Sequence, residues 1–130
     1  MKHEFDIVKK KIIVVPKIKG VDDYMEFKFI LDTGASKSII DDGAAIRLGF
    51  DLKKLKLGDR LTTVGGGISS KVLELPELSL LGKELVNFEV NVINVPPQIL
   101  YFADGLVGMD FLLLFKNIKF DFHEKFIETA

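Results

Sequence analysis

Ile30-Leu31-Asp32-Thr33-Gly34-Ala35-Ser36 carries an acid out of an apolar run straight into a turn. Just upstream, Met25-Glu26-Phe27-Lys28-Phe29 alternates apolar and charged residues, the pattern of a strand with one face on a core and one in water. The segment therefore reads as a strand over residues 25–31 that delivers the Asp32 carboxylate from a buried edge. Such placement is costly unless the carboxylate is used. Asp, Thr and Gly also favour plain turns, so this segment alone fits an ordinary Asp-led turn as well. Asp-Thr-Gly occurs once in the chain.

Outward from this point, Gly, Pro and acidic turns interrupt short runs rich in Val, Ile, Phe and Leu. Further strands are expected at residues 12–15, 61–64, 68–75, 85–94, 118–122 and 126–129, giving an all-β fold. Two short helices are expected among them. One is capped by Asp41 or Asp42, runs to about Leu48 and stops at Gly49; the other, over 111–115, is capped by Asp110. His123-Glu124 sits between the last two strands as the turn of a closing hairpin.

Two more segments matter for chemistry. Gly105-Leu106-Val107-Gly108-Met109-Asp110-Phe111-Leu112 is a pair of bulky aliphatics, a glycine, and then the short helix. Thr62-Thr63-Val64-Gly65-Gly66-Gly67-Ile68-Ser69 is a glycine-rich tip between two β-prone runs, where glycine supplies the positive φ of a tight hairpin. No Gly-Lys-Ser/Thr follows it, which removes a phosphate cradle from consideration. Taken singly, these segments also suit a buried strand entering a helix and a plain hairpin turn.

Together and in this order, the Asp-Thr-Gly loop, the Leu-Gly-ending helix, the glycine tip, Leu106-Val107-Gly108, the short helix and the terminal hairpin resemble the retropepsin-like aspartic proteases. The likeness covers about residues 11–129 and is closer to the free-standing cellular and prokaryotic members than to the shorter viral enzymes. It implies a closed acid-protease β-barrel with a flap hairpin. It further implies that Asp32 is catalytic, that the Thr33 hydroxyl bonds across a dimer axis, and that the Gly34 N–H serves the carboxylate. Ala35, Val64, Gly65, Gly66 and Gly67 would hold substrate, and Leu106, Val107 and Gly108 would support the Asp-Thr-Gly loop. Many viral members carry an acid at the position of Ser36 and an arginine at that of Met109. Both are missing here, which removes a supporting ion pair.

Peptide hydrolysis of this kind needs two carboxylates sharing a proton, one acting as base on water while the other hydrogen-bonds the carbonyl oxygen. Two like charges in close contact resist double ionisation, so one of the pair stays protonated. With a single Asp-Thr-Gly the second carboxylate must come from another copy, and a twofold dimer is the commonest oligomer. Within the chain, Asp104 is expected to solvate a turn and Asp110 to cap its helix; Asp41-Asp42, Asp22-Asp23 and Asp51 read as surface turns. Ala35 offers no hydroxyl to stabilise an ionised neighbour, so activity is expected to extend toward weakly acidic or neutral pH.

The bulk composition agrees with this reading. At 130 residues, with 48% hydrophobic and 28% charged, the chain is expected to form one domain over residues 1–130. A net charge of −1 offers no footprint for nucleic acid or anionic membrane. The absence of cysteine excludes disulfides and thiolate chemistry. His3 and His123 sit near opposite ends and read as solvated, with no metal role and no cofactor implied. No signal-like apolar stretch opens the chain and residues 106–115 are too short and too interrupted to span a membrane, so a cytoplasmic location is expected. The expected function is a homodimeric endopeptidase acting on peptide or protein substrates. The competing readings are a catalytically silent retropepsin-like module for dimerisation or peptide binding, and an unrelated small β-barrel.

Overall fold

A computed structural model describes residues 1–58, 61–63 and 66–130, with 61–63 and 66 as backbone only. In chain order the elements are β1 (Lys2–Glu4), β2 (Asp6–Val8), β3 (Lys11–Val14), β4 (Lys17–Lys19), β5 (Tyr24–Glu26), β6 (Phe29–Leu31), β7 (Ile39–Asp41) and α1 (Asp42–Arg47). A 3-10 turn at Leu52–Lys54 leads to β8 (Lys56–Leu57), β9 (Leu61–Thr63), β10 (Gly66–Ile68), β11 (Lys71–Leu80) and β12 (Lys83–Ile93). The chain closes with α2 (Pro97–Leu100), β13 (Gly105–Val107), α3 (Met109–Leu112), β14 (Ile118–Asp121) and β15 (Phe126–Thr129).

The main sheet runs β2-β3-β6-β13-β7-β12-β11-β4-β5, with β8 added to β11. Its turns follow from local chemistry. Val8 pairs with Lys11 and Leu80 with Lys83, leaving the two-residue loops Lys9-Lys10 and Leu81-Gly82, and all four loop residues have the positive φ such hairpins demand. The strand expected over 25–31 is divided into β5 and β6. Pro16 has no N–H to donate, so the ladder that would join β3 and β4 into one long strand is broken there. The Phe27 N–H instead bonds the Pro16 carbonyl at 3.1 Å, and the partner strand bends at the same point. Conversely, the strand expected to end at Leu75 continues through Pro76 to Leu80. Its partner Asn87 adopts φ 55°, and that rung drops out of an otherwise continuous register.

Neighbouring residues of a strand face opposite ways, and β6 uses both faces. Phe29 and Leu31 enter the main core with Ile18, Ile40, Leu75, Val90 and the fully buried Phe111. Phe111 meets the Phe88 and Phe115 rings edge-on, with centroids 6.1 and 5.6 Å away. Ile30 faces the other way, into a smaller cluster with Ile13 and Ala103, sealed by Ile99, Phe102 and Leu106. Each such side chain contributes about 1.5–3 kcal/mol on burial. The middle of the sheet is mixed: β13 runs parallel to β6 and antiparallel to β7. The ends of β6 and β13 therefore emerge side by side, at Leu31 and Val107, which fixes the place of Asp32.

β1, β15 and β14 form a separate antiparallel sheet that ties the two chain ends together. The closing hairpin is present, with Asp121 Oδ1 accepting the N–H groups of His123 and Glu124 in its turn. β1, β2, β4, β7, β8 and β13 were not expected as strands from the sequence, and neither was α2. Among the described residues no helix is long and apolar enough to cross a membrane.

His3, expected to be solvated, lies on β1 opposite Ile127, and its Nε2 is buried without a hydrogen-bond partner among the described residues. Burial, and secondarily the N-terminal ammonium, hold its pKa below the ordinary 6.5. The folded chain therefore binds fewer protons here than the unfolded chain, so stability is full above about pH 6.5 and falls as the pH drops below it. The melting temperature of the wild type should fall more between pH 7.5 and 5.5 than that of His3→Leu. Equal slopes for the two proteins would show that His3 is not the titrating group.

Candidate active site

Asp32 is the first residue beyond β6. Its N–H bonds the Val107 carbonyl at 2.9 Å, continuing the parallel ladder by one rung and binding the acid to the end of β13. The chain then turns: Ala35 N–H returns to the Asp32 carbonyl at 3.2 Å, and Gly34 N–H donates to Asp32 Oδ1 at 2.8 Å. Asp32 is half-buried, while Thr33 and Gly34 at the turn's crest are exposed. A carboxylate oriented by a backbone donor and offered to the surface is a reactive arrangement, since the hydrogen bond fixes one oxygen and leaves the other accessible.

The loop is clamped from behind. The first turn of α3 gives its N–H groups to the loop's carbonyls, Met109 to Ala35 at 2.7 Å and Asp110 to Ser36 at 3.1 Å. Gly108 makes this approach possible. A Cβ there would lie 2.8 Å from the carbonyl oxygens of both Ala35 and Lys37. Leu106 faces the smaller apolar cluster, whereas Val107 is in the main core.

At the centre of the clamp is Ser38, only 3% exposed. Its Oγ donates to Asp110 Oδ1 at 2.7 Å and accepts the Gly108 N–H at 3.0 Å. Its N–H donates to Asp110 Oδ2 at 2.9 Å, and its carbonyl accepts the Asn91 N–H at 3.0 Å. Every polar group of this buried serine is thus engaged, which makes the network rigid.

This geometry corrects three sequence expectations. Asp110 does not cap a helix over 111–115: α3 spans Met109–Leu112 with Gly108 at its N-cap, and the Asp110 carboxylate reaches across to Ser38 as well as to the Phe111 N–H. Asp41 does cap α1, through Gly43 N–H at 3.0 Å, yet it is no surface turn. It is 4% exposed, and its other oxygen accepts the Val95 N–H at 3.0 Å. Asp104 does more than solvate a turn, pairing with Arg47 at 3.1 Å while its carbonyl accepts the Asp41 N–H. All three acids are committed to holding the frame.

The glycine-rich segment forms an antiparallel hairpin in which Thr63 pairs with Gly66 and Leu61 with Ile68. Gly66 and Gly67 lie in the returning strand β10, not in the turn; Val64 and Gly65 are outside the described residues. Sequence reasoning missed Ser38, Asn91 and Ser70. A faint signal existed for Asn91, a lone amide inside Val90-Asn91-Val92-Ile93, since a polar residue at a core position has a bonding partner. Among the described residues no cluster of His, Asp or Glu could hold a metal ion.

Residues 17–111 match the family model described as aspartyl protease, and the chain belongs to that family. Its fold is that of the retropepsin-like members. The crystal structure of a retropepsin-like aspartic protease from Rickettsia conorii superposes with a TM-score of 0.74 at 24% identity, covering 99% of this chain and 89% of that one. The EIAV protease complexed with the inhibitor HBY-793 gives 0.63 at 20% identity over 82% and 88%. The retroviral protease-like domain of Ddi1 from Leishmania major gives 0.63 at 20% over 92% and 88%. No curated protein matches the sequence.

Proposed function

We propose that the protein is a homodimeric aspartic endopeptidase whose active site is built from two copies of Asp32, one per chain. The observation that carries this reading is the isolation of Asp32. Its backbone is fixed by Val107 and its carboxylate is oriented by Gly34, while the nearby acids Asp41, Asp104 and Asp110 are each bonded elsewhere. With the neighbouring acids among the described residues so committed, the second carboxylate comes from a second chain. Apposing two such exposed Thr33-Gly34 turns about a twofold axis brings the carboxylates together, with each Thr33 hydroxyl bonding the opposite loop.

In that pair the ionised Asp32 removes a proton from a water molecule, and the protonated Asp32 donates a hydrogen bond to the scissile carbonyl oxygen. The hydroxide adds to the carbonyl carbon. The tetrahedral intermediate then collapses as the leaving nitrogen takes the proton that the first Asp32 had removed from water, breaking the C–N bond, releasing an acid and an amine, and restoring the singly protonated pair. Substrate would lie extended between the floor at Ala35 and the hairpin at Val64, Gly65, Gly66 and Gly67, taking backbone hydrogen bonds as an added strand does. No cofactor enters the reaction.

A mixed peptide library incubated across pH 4–7, with and without pepstatin, tests this directly. Cleavage is expected, blocked by pepstatin and persisting toward neutral pH because Ala35 places a methyl beside the dyad. Absence of cleavage under every condition would favour a silent dimerisation or peptide-binding module, and a profile collapsing above about pH 4 would contradict the part assigned to Ala35.

A further inference from the structure

At the foot of the glycine-tipped hairpin, the backbone pairing of β11 with β12 begins at Lys71, opposite Val92. One residue earlier, Ser70 is 3% exposed beside the start of that ladder. It is held by a side chain: Asn91, 2% exposed, donates its Nδ2 to Ser70 Oγ at 2.9 Å. Asn91 stands opposite Val72, so the bond runs diagonally on one face of the sheet. On the other side of the stem, Gly58 N–H donates to the Ser70 carbonyl at 2.9 Å. No larger residue fits at that rung, because a Cβ on Gly58 would lie 2.8 Å from Ser70 Oγ and 3.0 Å from Asn91 Nδ2.

Asn91 also donates its backbone N–H to Ser38, whose hydroxyl binds Asp110 and Gly108 behind the Asp32 loop. A single buried residue thus holds the hairpin stem with its side chain and the floor of the site with its backbone. A buried amide–hydroxyl pair among apolar strands is costly unless mutually satisfied, so the two groups enforce each other's position.

We propose that Asn91 is a positioning residue: its bond to Ser70 pins the stem of the glycine-tipped hairpin at a fixed height over the Asp32 loop, and so sets how firmly an extended peptide is gripped. The effect on substrate rests on the endopeptidase reading; the lock itself does not. Removing the amide loosens the stem while leaving Asp32, its Gly34 bond and the Ser38–Asp110 clamp unaltered.

The test combines Asn91→Leu and Ser70→Ala, which break the bond from opposite ends, with hydrogen exchange and steady-state kinetics on a peptide selected from the library. Exchange at the Gly58 amide and through residues 66–72 should rise about fivefold in Asn91→Leu, the value of one hydrogen bond, and at least as much in Ser70→Ala. Exchange around residues 32–38 should not change. KM should rise several-fold with kcat little altered, whereas a merely stabilising role would lower the melting temperature and leave KM alone. Should Asn91→Leu not fold, Asn91→Ala takes its place. Unchanged exchange at Gly58 overturns the lock whether or not the protein cleaves peptides, and a loss confined to kcat overturns the assignment to substrate grip. Altered exchange in a wild type that cleaves nothing would retain the lock and remove the endopeptidase reading.

Discussion

Asp32→Asn is expected to abolish peptide cleavage, lowering kcat/KM on the order of 10³-fold or more, with no loss of fold. The asymmetry follows from what each atom does. An asparagine oxygen still accepts the Gly34 N–H, which at 2.8 Å is the side chain's one bond to the loop, and the backbone bond to Val107 does not involve the side chain at all. The turn therefore keeps its shape. An amide can neither take a proton from water nor share one with its twin, and in a dimer of identical chains both members of the pair are lost at once. Circular dichroism and the melting temperature should match the wild type while turnover of a library-selected peptide vanishes. Activity within about tenfold of wild type would show that Asp32 is not the working carboxylate.

Gly108→Ala should be nearly as damaging by a different route. The added methyl would lie 2.8 Å from the Ala35 carbonyl oxygen, the Lys37 carbonyl carbon and the Lys37 carbonyl oxygen. All of these are backbone atoms of the loop that carries Asp32, so no flexible side chain can swing away to make room. Either β13 retreats from the loop or the loop moves outward, and both stretch the Met109–Ala35 and Gly108–Ser38 bonds. Overpacking of this kind costs about 1–3 kcal/mol. A displacement near 1 Å at a catalytic group costs about 100-fold in rate. Denaturant titration and kcat/KM should show both losses together. A variant of wild-type stability and rate would mean that the clamp does not position Asp32.

The parts of this architecture that were legible in the sequence are those where one residue type answers one local demand. The apolar run ending at Leu31 announced a strand that leads to Asp32, though not the break that divides it into β5 and β6; the family resemblance placed Leu106-Val107-Gly108 against the loop, and Gly49 (φ 93°) ended the helix begun at Asp41. The rest depended on contacts made across the sheet. Pro16 divides two strands through the ladder it shares with the returning strand at Phe27, and β1 exists because β15 lies beside it. Asp110 looked like a helix cap because it directly precedes the apolar run Phe111–Phe115. Its actual partner, Ser38, is separated from it by most of the chain and reached only through the parallel pairing of β6 and β13. Asp41 hid a buried carboxylate behind an ordinary cap signal for the same reason, its second oxygen being claimed by Val95. Asn91 and Ser70 carry no motif, and their meaning appears only when the hairpin stem and the floor are seen to meet.

Subunit mixing tests the central claim, that one active site is made from two copies of Asp32. Wild type and Asp32→Asn are equilibrated in varying ratio at constant total chain concentration, and cleavage is measured once subunits have exchanged. If each site needs both carboxylates, activity follows the square of the wild-type fraction, and an equal mixture retains about one quarter of the activity of wild type alone. An equal mixture that retains about half, as independent chains would give, or about three quarters, as a shared site needing one Asp32 would give, would contradict this account.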